Sequence, residues 1–259
     1  MTETQTLTEE LGVIGSGAIA VRLARFADPR GNVTLWARSE KSADKARAKI
    51  DAHDVVTTEL GDLSDRSFVV EAIVEDHDSK VEILSALNDL LPENAILAST
   101  TSSLSIDKLA EECGRPDRFV GLHVFNPVDK MELVELAFPV AASEETKERA
   151  RALCASLDKT VVEVPDIPGF VVNRLLFPYL FAAVGLLDEQ GLTPEDIDTC
   201  MKLGAGHPMG PLALLDFVGV DVSIAIGESI GAIIPPRLQA MKDEGKLGRK
   251  SGAGFFDYS

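Results

Sequence analysis

Leu11-Gly-Val-Ile-Gly15-Ser-Gly17-Ala-Ile-Ala20 is the stretch on which the reading of the whole chain turns. A short apolar run stops at glycines and gives way to an alanine- and leucine-rich helical segment, Ala18 to Ala27. Gly15 permits a tight turn, Gly17 lets backbone amides approach a pyrophosphate at the helix N-terminus, and Ala20 takes the third position, where a small residue is accepted. A bare Gly-x-Gly-x-x-Ala occurs by chance in many helical turns. With a strand before it and a helix after it, the pattern reads as a dinucleotide-binding fingerprint, and Gly15, Ser16, Gly17, Ala18, Ile19 and Ala20 become candidate cofactor contacts.

Working outward, strands are expected at Asn32 to Trp36, Asp54 to Thr57, Ser67 to Val74 and Ala95 to Ala98. Helices are expected at Glu40 to Ala52 and Asp78 to Leu91, the second ended by Pro92. Such alternation predicts an α/β Rossmann-type doubly wound parallel sheet with helices on both faces. Closely spaced strands near 119–123, 132–136 and 161–164, with a helix from Glu144 to Leu157, complete it. Pro165-Asp-Ile-Pro168-Gly169 has no periodicity and marks a boundary between a dinucleotide-binding domain, 1–166, and a smaller all-helical domain, 167–259. In the latter, helices are expected at 170–190, Pro194 to Leu203, Pro211 to Phe217, Val222 to Ile230 and Pro236 to Glu244. There is no internal repeat and no low-complexity tract.

At 259 residues and 45% hydrophobic, the chain can bury a sizeable core without staples. Its net charge of −17 argues against a nucleic-acid partner, and a polyanionic substrate would need a local cluster of Lys and Arg. Cys113, Cys154 and Cys200 have no short mutual spacing, so they read as small buried hydrophobes in a reducing cytoplasm. Met1 to Glu10 has no secretory pattern. Phe170 to Leu187 is apolar but carries Asn173, Arg174 and Pro178, so it reads as a buried helix rather than a membrane span. No cluster with metal-ligand spacing is visible.

The second strand normally ends in an acid that holds the adenosine ribose, whereas here it runs into Trp36-Ala37-Arg38-Ser39. Without that carboxylate a 2′-phosphate is not repelled, and Arg38 with Ser39 can bind it, so NADP is allowed beside NAD. The alternative is that Arg38 only stacks on adenine while either cofactor binds. Glu75 and Lys80 follow the Ser67 to Val74 strand at the carboxyl edge, where cofactor sits in such sheets, although either can be an ordinary solvated charge.

His123-Val-Phe-Asn-Pro-Val-Asp-Lys-Met-Glu-Leu-Val-Glu135 places an imidazole and a carboxylate between two short apolar runs. An imidazole titrates near neutral pH, and a carboxylate on its second nitrogen fixes the tautomer and stabilises the imidazolium, which is what a general base needs. The plainer reading is a satisfied core histidine. His207, between Gly206 and Pro208, has no acid at comparable spacing and reads as structural.

Beyond Gly15 to Ala20, further motifs fall in order: Val70-Glu-Ala-Ile-Val-Glu75, Ala98-Ser-Thr-Thr-Ser102-Ser-Leu-Ser, and Gly121-Leu-His123-Val-Phe-Asn126-Pro127. They continue as Pro168-Gly-Phe-Val-Val-Asn173-Arg174, Lys202-Leu-Gly-Ala-Gly-His-Pro-Met-Gly-Pro211 and Gly248-Arg-Lys250-Ser-Gly-Ala-Gly-Phe-Phe-Asp257. Their order and spacing resemble the L-3-hydroxyacyl-CoA dehydrogenase family from about residue 11 to the last. The resemblance implies a Rossmann-type domain, a helical domain that forms a homodimer, and hydride transfer between a nicotinamide cofactor and a short 3-hydroxyacyl-CoA. It also implies His123 as catalytic base with Glu135 as its partner, and Ser102 and Asn173 hydrogen-bonded to the substrate oxygen. Glu75, Lys80, Ser102, Asn126 and Lys250 match positions around the nicotinamide half of the cofactor.

Two features depart from the family. Members usually carry a basic helical hairpin after the second strand that contacts CoA; here only Ser39 to Ser67 fills the gap, with Lys41, Lys45, Arg47 and Lys49 on one short helix. The ribose acid is also missing. A dehydrogenase of a free hydroxy acid, or a noncatalytic nucleotide-binding protein, is therefore carried as an alternative.

Overall fold

The computed structural model describes residues 5–50 and 55–259, with the backbone alone for residues 188–190. Its sheet has eight strands: β1 (Leu11–Ile14), β2 (Val33–Trp36), β3 (Val56–Thr57), β4 (Phe68–Glu71), β5 (Ile96–Ser99), β6 (Phe119–Val124), β7 (Leu133–Ala137) and β8 (Thr160–Glu163). They lie in the order β3-β2-β1-β4-β5-β6-β7-β8, parallel except for the β6–β7 pair. The chain leaves β1 toward β2 and β3, then crosses to β4, so strand order reverses between β1 and β4. In open sheets the crevice at such a reversal, outside the carboxyl ends, is where ligands bind. Every residue of β1, β4, β5 and β6 is buried, as expected of interior strands covered on both faces. Helices α1 (Ala18–Ala27), α2 (Glu40–Arg47), α3 (His77–Leu90), α4 (Ile106–Glu112) and α5 (Glu144–Ser156) belong to this unit.

Three local expectations change. The strand expected through Val74 ends at Glu71, because the Glu71 side chain accepts the Ile73 amide at 2.7 Å and turns the backbone out of the ladder. Helix α2 stops at Arg47: the amides of Lys49 and Ile50 close shorter turns onto Ala46 and Arg47 as Ile50 dips into the core. The expected helix end at Asp51 and Ala52, and the expected strand start at Asp54, lie outside the described residues. Helix α4 was not anticipated. Ser105 caps it through the Lys108 amide, and Ile106, Leu109 and Ala110 bury its inner face.

The chain divides into two compact units, Met1–Ile167 and Pro168–Ser259. The second holds α6 (Val172–Gln190), α7 (Pro194–Gly204), α8 (Pro211–Val218), α9 (Val220–Ser229) and α10 (Pro236–Asp243). Its core joins Phe177, Leu180, Phe181 and Val184 of α6 to Leu212, Leu215, Ile224 and Leu238. Helix α6 is not buried all round, as its apolar composition suggested, since Leu175 and Leu186 stay exposed. No described helix is long and apolar enough to cross a membrane. Burial pushes the thiols of Cys113 and Cys154 up, to about 11 and about 12. Cys200 departs from the expectation: it faces outward from α7.

Candidate active site

His123 near the end of β6 and Glu135 in the middle of β7 are partners across the antiparallel pair, so their side chains emerge side by side on one face. His123 Nδ1 lies 2.7 Å from Glu135 Oε2, and both residues are buried. With a carboxylate as acceptor, Nδ1 carries the hydrogen and the tautomer of the ring is fixed. The Phe125 ring meets the imidazole edge-on with centroids 4.7 Å apart. Asn126 follows on the connection out of β6, exposed, with a cis peptide to Pro127.

A second cluster stands beyond the carboxyl ends of β4 and β5. Asp76 caps α3 by accepting the Ser79 amide at 2.9 Å, and the first helical turn then carries Lys80 back toward the strand. The Lys80 ammonium, fully buried, sits 2.6 Å from Glu71 Oε1 and 3.5 Å from Glu75 Oε2. Glu75 Oε1 accepts the Thr101 hydroxyl at 2.7 Å, the Ser103 hydroxyl at 2.8 Å, and the Ser102 and Ser103 amides at 2.8 and 3.1 Å. The Ser102 hydroxyl lies 3.4 Å from the same oxygen. Burial works against charge on Glu75, but Lys80 and these donors outweigh it and hold its carboxyl below the ordinary 4.5. Thus Glu75, Lys80 and Ser102, singled out separately in the sequence, form one connected group. Glu71, Thr101 and Ser103 were missed. The available signal for Glu71 was a lone carboxylate inside the apolar run Phe68 to Val74.

The turn after β1 fits a dinucleotide. A Cβ on Gly15, whose φ is +125°, would come within 2.5 Å of the Ala72 carbonyl oxygen, while a Cβ on Gly17 would meet nothing within 4 Å. Gly17 opens α1 without any side-chain cap, so the first amides of the helix, from Ala18, Ile19 and Ala20, have no intrahelical acceptor. Ala20 is buried, and its Cβ would lie 3.4 Å from one on Gly15, the close helix–strand packing that a small residue allows. At the end of β2, Ala37 is buried where the ribose acid is usual, and Arg38 is exposed. Ser39 caps α2 by accepting the Ser42 amide at 3.4 Å. Arg47 pairs with Glu40 at 3.0 Å and Asp44 at 3.1 Å, so little of its charge is offered to a ligand.

Asn173 and Lys250 belong to the second unit. Asn173 is buried in the first turn of α6. The exposed Lys250 ammonium pairs with Asp221 of α9, 2.6 Å from Oδ2. His207 Nδ1 lies 3.3 Å from the Tyr179 hydroxyl, with no carboxylate on its ring among the described residues.

Residues 52–167 match the family described as 3-hydroxyacyl-CoA dehydrogenase, NAD binding domain, and residues 169–258 match 3-hydroxyacyl-CoA dehydrogenase, C-terminal domain. The chain belongs to the 3-hydroxyacyl-CoA dehydrogenase family. A 3-hydroxybutyryl-CoA dehydrogenase from Clostridioides difficile is 38% identical over 279 residues, covering 96% of this chain and 99% of that one. Rat mitochondrial hydroxyacyl-coenzyme A dehydrogenase is 36% identical, covering 97% and 92%. The crystal structure of (S)-3-hydroxybutyryl-CoA dehydrogenase from Ralstonia eutropha superposes with a TM-score of 0.87 at 35% identity, covering 96% and 98%. Within this family the chain is an oxidoreductase with an NAD-binding domain, and the His123–Glu135 pair lies inside the stretch matched to that domain.

Proposed function

We propose that the chain oxidises the 3-hydroxyl of a short 3-hydroxyacyl-CoA to a ketone, or reduces the ketone, with NAD(H). The cofactor, when bound, supplies the hydride acceptor or donor. His123 Nε2 takes the hydroxyl proton as the carbon gives up hydride, and the Glu135 carboxylate stabilises the imidazolium that results. Ser102 and Asn173 hydrogen-bond the substrate oxygen, where charge changes during the reaction. Residues 1–166 hold the cofactor through the Gly15–Ala20 turn, Glu75, Lys80 and Asn126. Residues 167–259 contribute Asn173 and Lys250 and the helices of a homodimer.

The observation that carries this reading is the buried 2.7 Å contact between His123 and Glu135. A histidine placed only to fill a core has no need of a carboxylate fixed on one nitrogen. Mixing the protein with NADH and acetoacetyl-CoA should consume NADH absorbance, and His123→Gln should lower kcat by at least about a hundredfold. Near-full turnover by that variant would refute the assignment.

One observation favours a second substrate class. Between β2 and β4 the described residues hold one α-helix, of eight residues, and with its Arg47 engaged by two carboxylates only the exposed Lys41, Lys45 and nearby Lys49 remain as cations on or just after it, a narrow platform for CoA phosphates. Turnover of a free 3-keto acid with silence toward the CoA ester would select that reading. The exposed Arg38 beside the buried Ala37 supports acceptance of NADPH as well as NADH.

A further inference from the structure

Glu71 is the last residue of β4, a central strand whose other residues, Phe68, Val69 and Val70, are apolar and buried. It has no exposed surface, and its carboxylate is satisfied on both oxygens. Oε1 accepts the Ile73 amide at 2.7 Å and the Lys80 ammonium at 2.6 Å, and Oε2 accepts the Ser99 hydroxyl at 2.6 Å. Its backbone carbonyl takes the Thr100 amide at 2.9 Å, which starts the loop carrying Ser102. The next residue, Ala72, supplies the carbonyl against which the Gly15 turn is packed.

Stability does not explain a carboxylate here. Burying an ion pair gains little over apolar residues of similar size, and an aliphatic side chain is the usual occupant of an interior parallel strand. What Glu71 adds is a fixed place for Lys80. The ammonium has two carboxylates in reach at unequal distances, and Glu71 takes the shorter contact. Glu75 is thereby left to hold the donors of residues 101–103 on its Oε1.

We propose that Glu71 is a positioning residue: it anchors Lys80 so that Glu75 holds the 101–103 loop in the arrangement that receives the nicotinamide end of the cofactor. The proposal rests on the reading of Glu75, Lys80 and Ser102 as cofactor contacts. Replacing Glu71 by Gln removes the charge that competes for Lys80. The ammonium then closes on Glu75 Oε2 and pulls the carboxylate toward itself, which lengthens the contacts of the loop donors to Oε1.

Direct NADH titration, followed by fluorescence and independent of turnover, tests this. Glu71→Gln should weaken NADH binding by about tenfold. Added to Glu75→Gln it should cost less than about twofold more, because the route through Glu75 is already cut. Glu71→Asp, which keeps the charge but draws it back from Lys80, should show the same pattern at about threefold and serves if Glu71→Gln does not fold. NADH affinity within twofold of the parent in both single variants overturns the proposal. So do losses that multiply in full when combined with Glu75→Gln, the mark of a merely structural effect. A parent protein that binds NADH but turns over no substrate would sink the proposed reaction and leave this test intact, whereas a parent that binds no NADH would overturn both.

Discussion

Arg38 and Lys80 are both cations just beyond the carboxyl end of a strand, β2 for one and β4 for the other, yet their surroundings are opposite. Arg38 is exposed and forms no ion pair among the described residues, whereas Lys80 is fully buried between Glu71 and Glu75. A cation already shared by two carboxylates brings little free positive charge to a ligand; its main effect is to fix the groups around it. An exposed cation without a carboxylate keeps its donors for a phosphate. Position on the sheet edge therefore does not decide what a charge does there. Burial and partnering do.

The sharpest way to break this contrast is Lys80→Met, which strands two carboxylates without their counter-charge. It should cost about 3–5 kcal/mol in urea unfolding, and a loss under about 1 kcal/mol would contradict the view of Lys80 as an anchor. Next in size, Arg38→Ala should weaken NADPH binding by about tenfold and leave NADH within twofold. Equal behaviour with both cofactors would reduce Arg38 to a stacking residue. The same variant should leave folding stability within about 0.5 kcal/mol. A subtler effect concerns acid. Because the Glu75 carboxyl is held below its ordinary 4.5, its stabilising contribution is fully present above that pH and fades as pH falls through the lowered native value. Between about pH 6 and pH 3, Glu75→Gln should therefore show a smaller fall in unfolding midpoint than the parent. An unchanged slope would mean that Lys80 and the loop donors do not hold the charge.

The alternation of strands and helices was legible because interior parallel strands are short apolar runs and their glycine turns carry recognisable chemistry. The helix that opens after Gly17 was read to the residue, Ala18 to Ala27, for that reason. Helix α4 was not, since seven residues with three buried side chains give too few turns for a period to show. The early end of β4 depended on one side chain capturing an amide two residues on, which no pattern of apolar residues encodes. In the site, His123 and Glu135 stood out as complementary chemistry, and the missing piece was the antiparallel pairing that sets them side by side. Glu71 was hidden differently: its partners, Lys80 and Ser99, are 9 and 28 positions away and meet it only after α3 and β5 are docked.

The cross-strand origin of the His123–Glu135 pair makes the site unequally tolerant of length changes. Residues 125–132 connect the two strands, and an insertion there lengthens a bend without altering which residue faces which. A single residue added within β6 or β7, ahead of either partner, would turn the imidazole or the carboxylate to the opposite side of the sheet. Natural or laboratory variation in the spacing between these two residues should thus accumulate in the bend, and an indel inside either strand should abolish proton exchange while most of the hydrophobic interior survives.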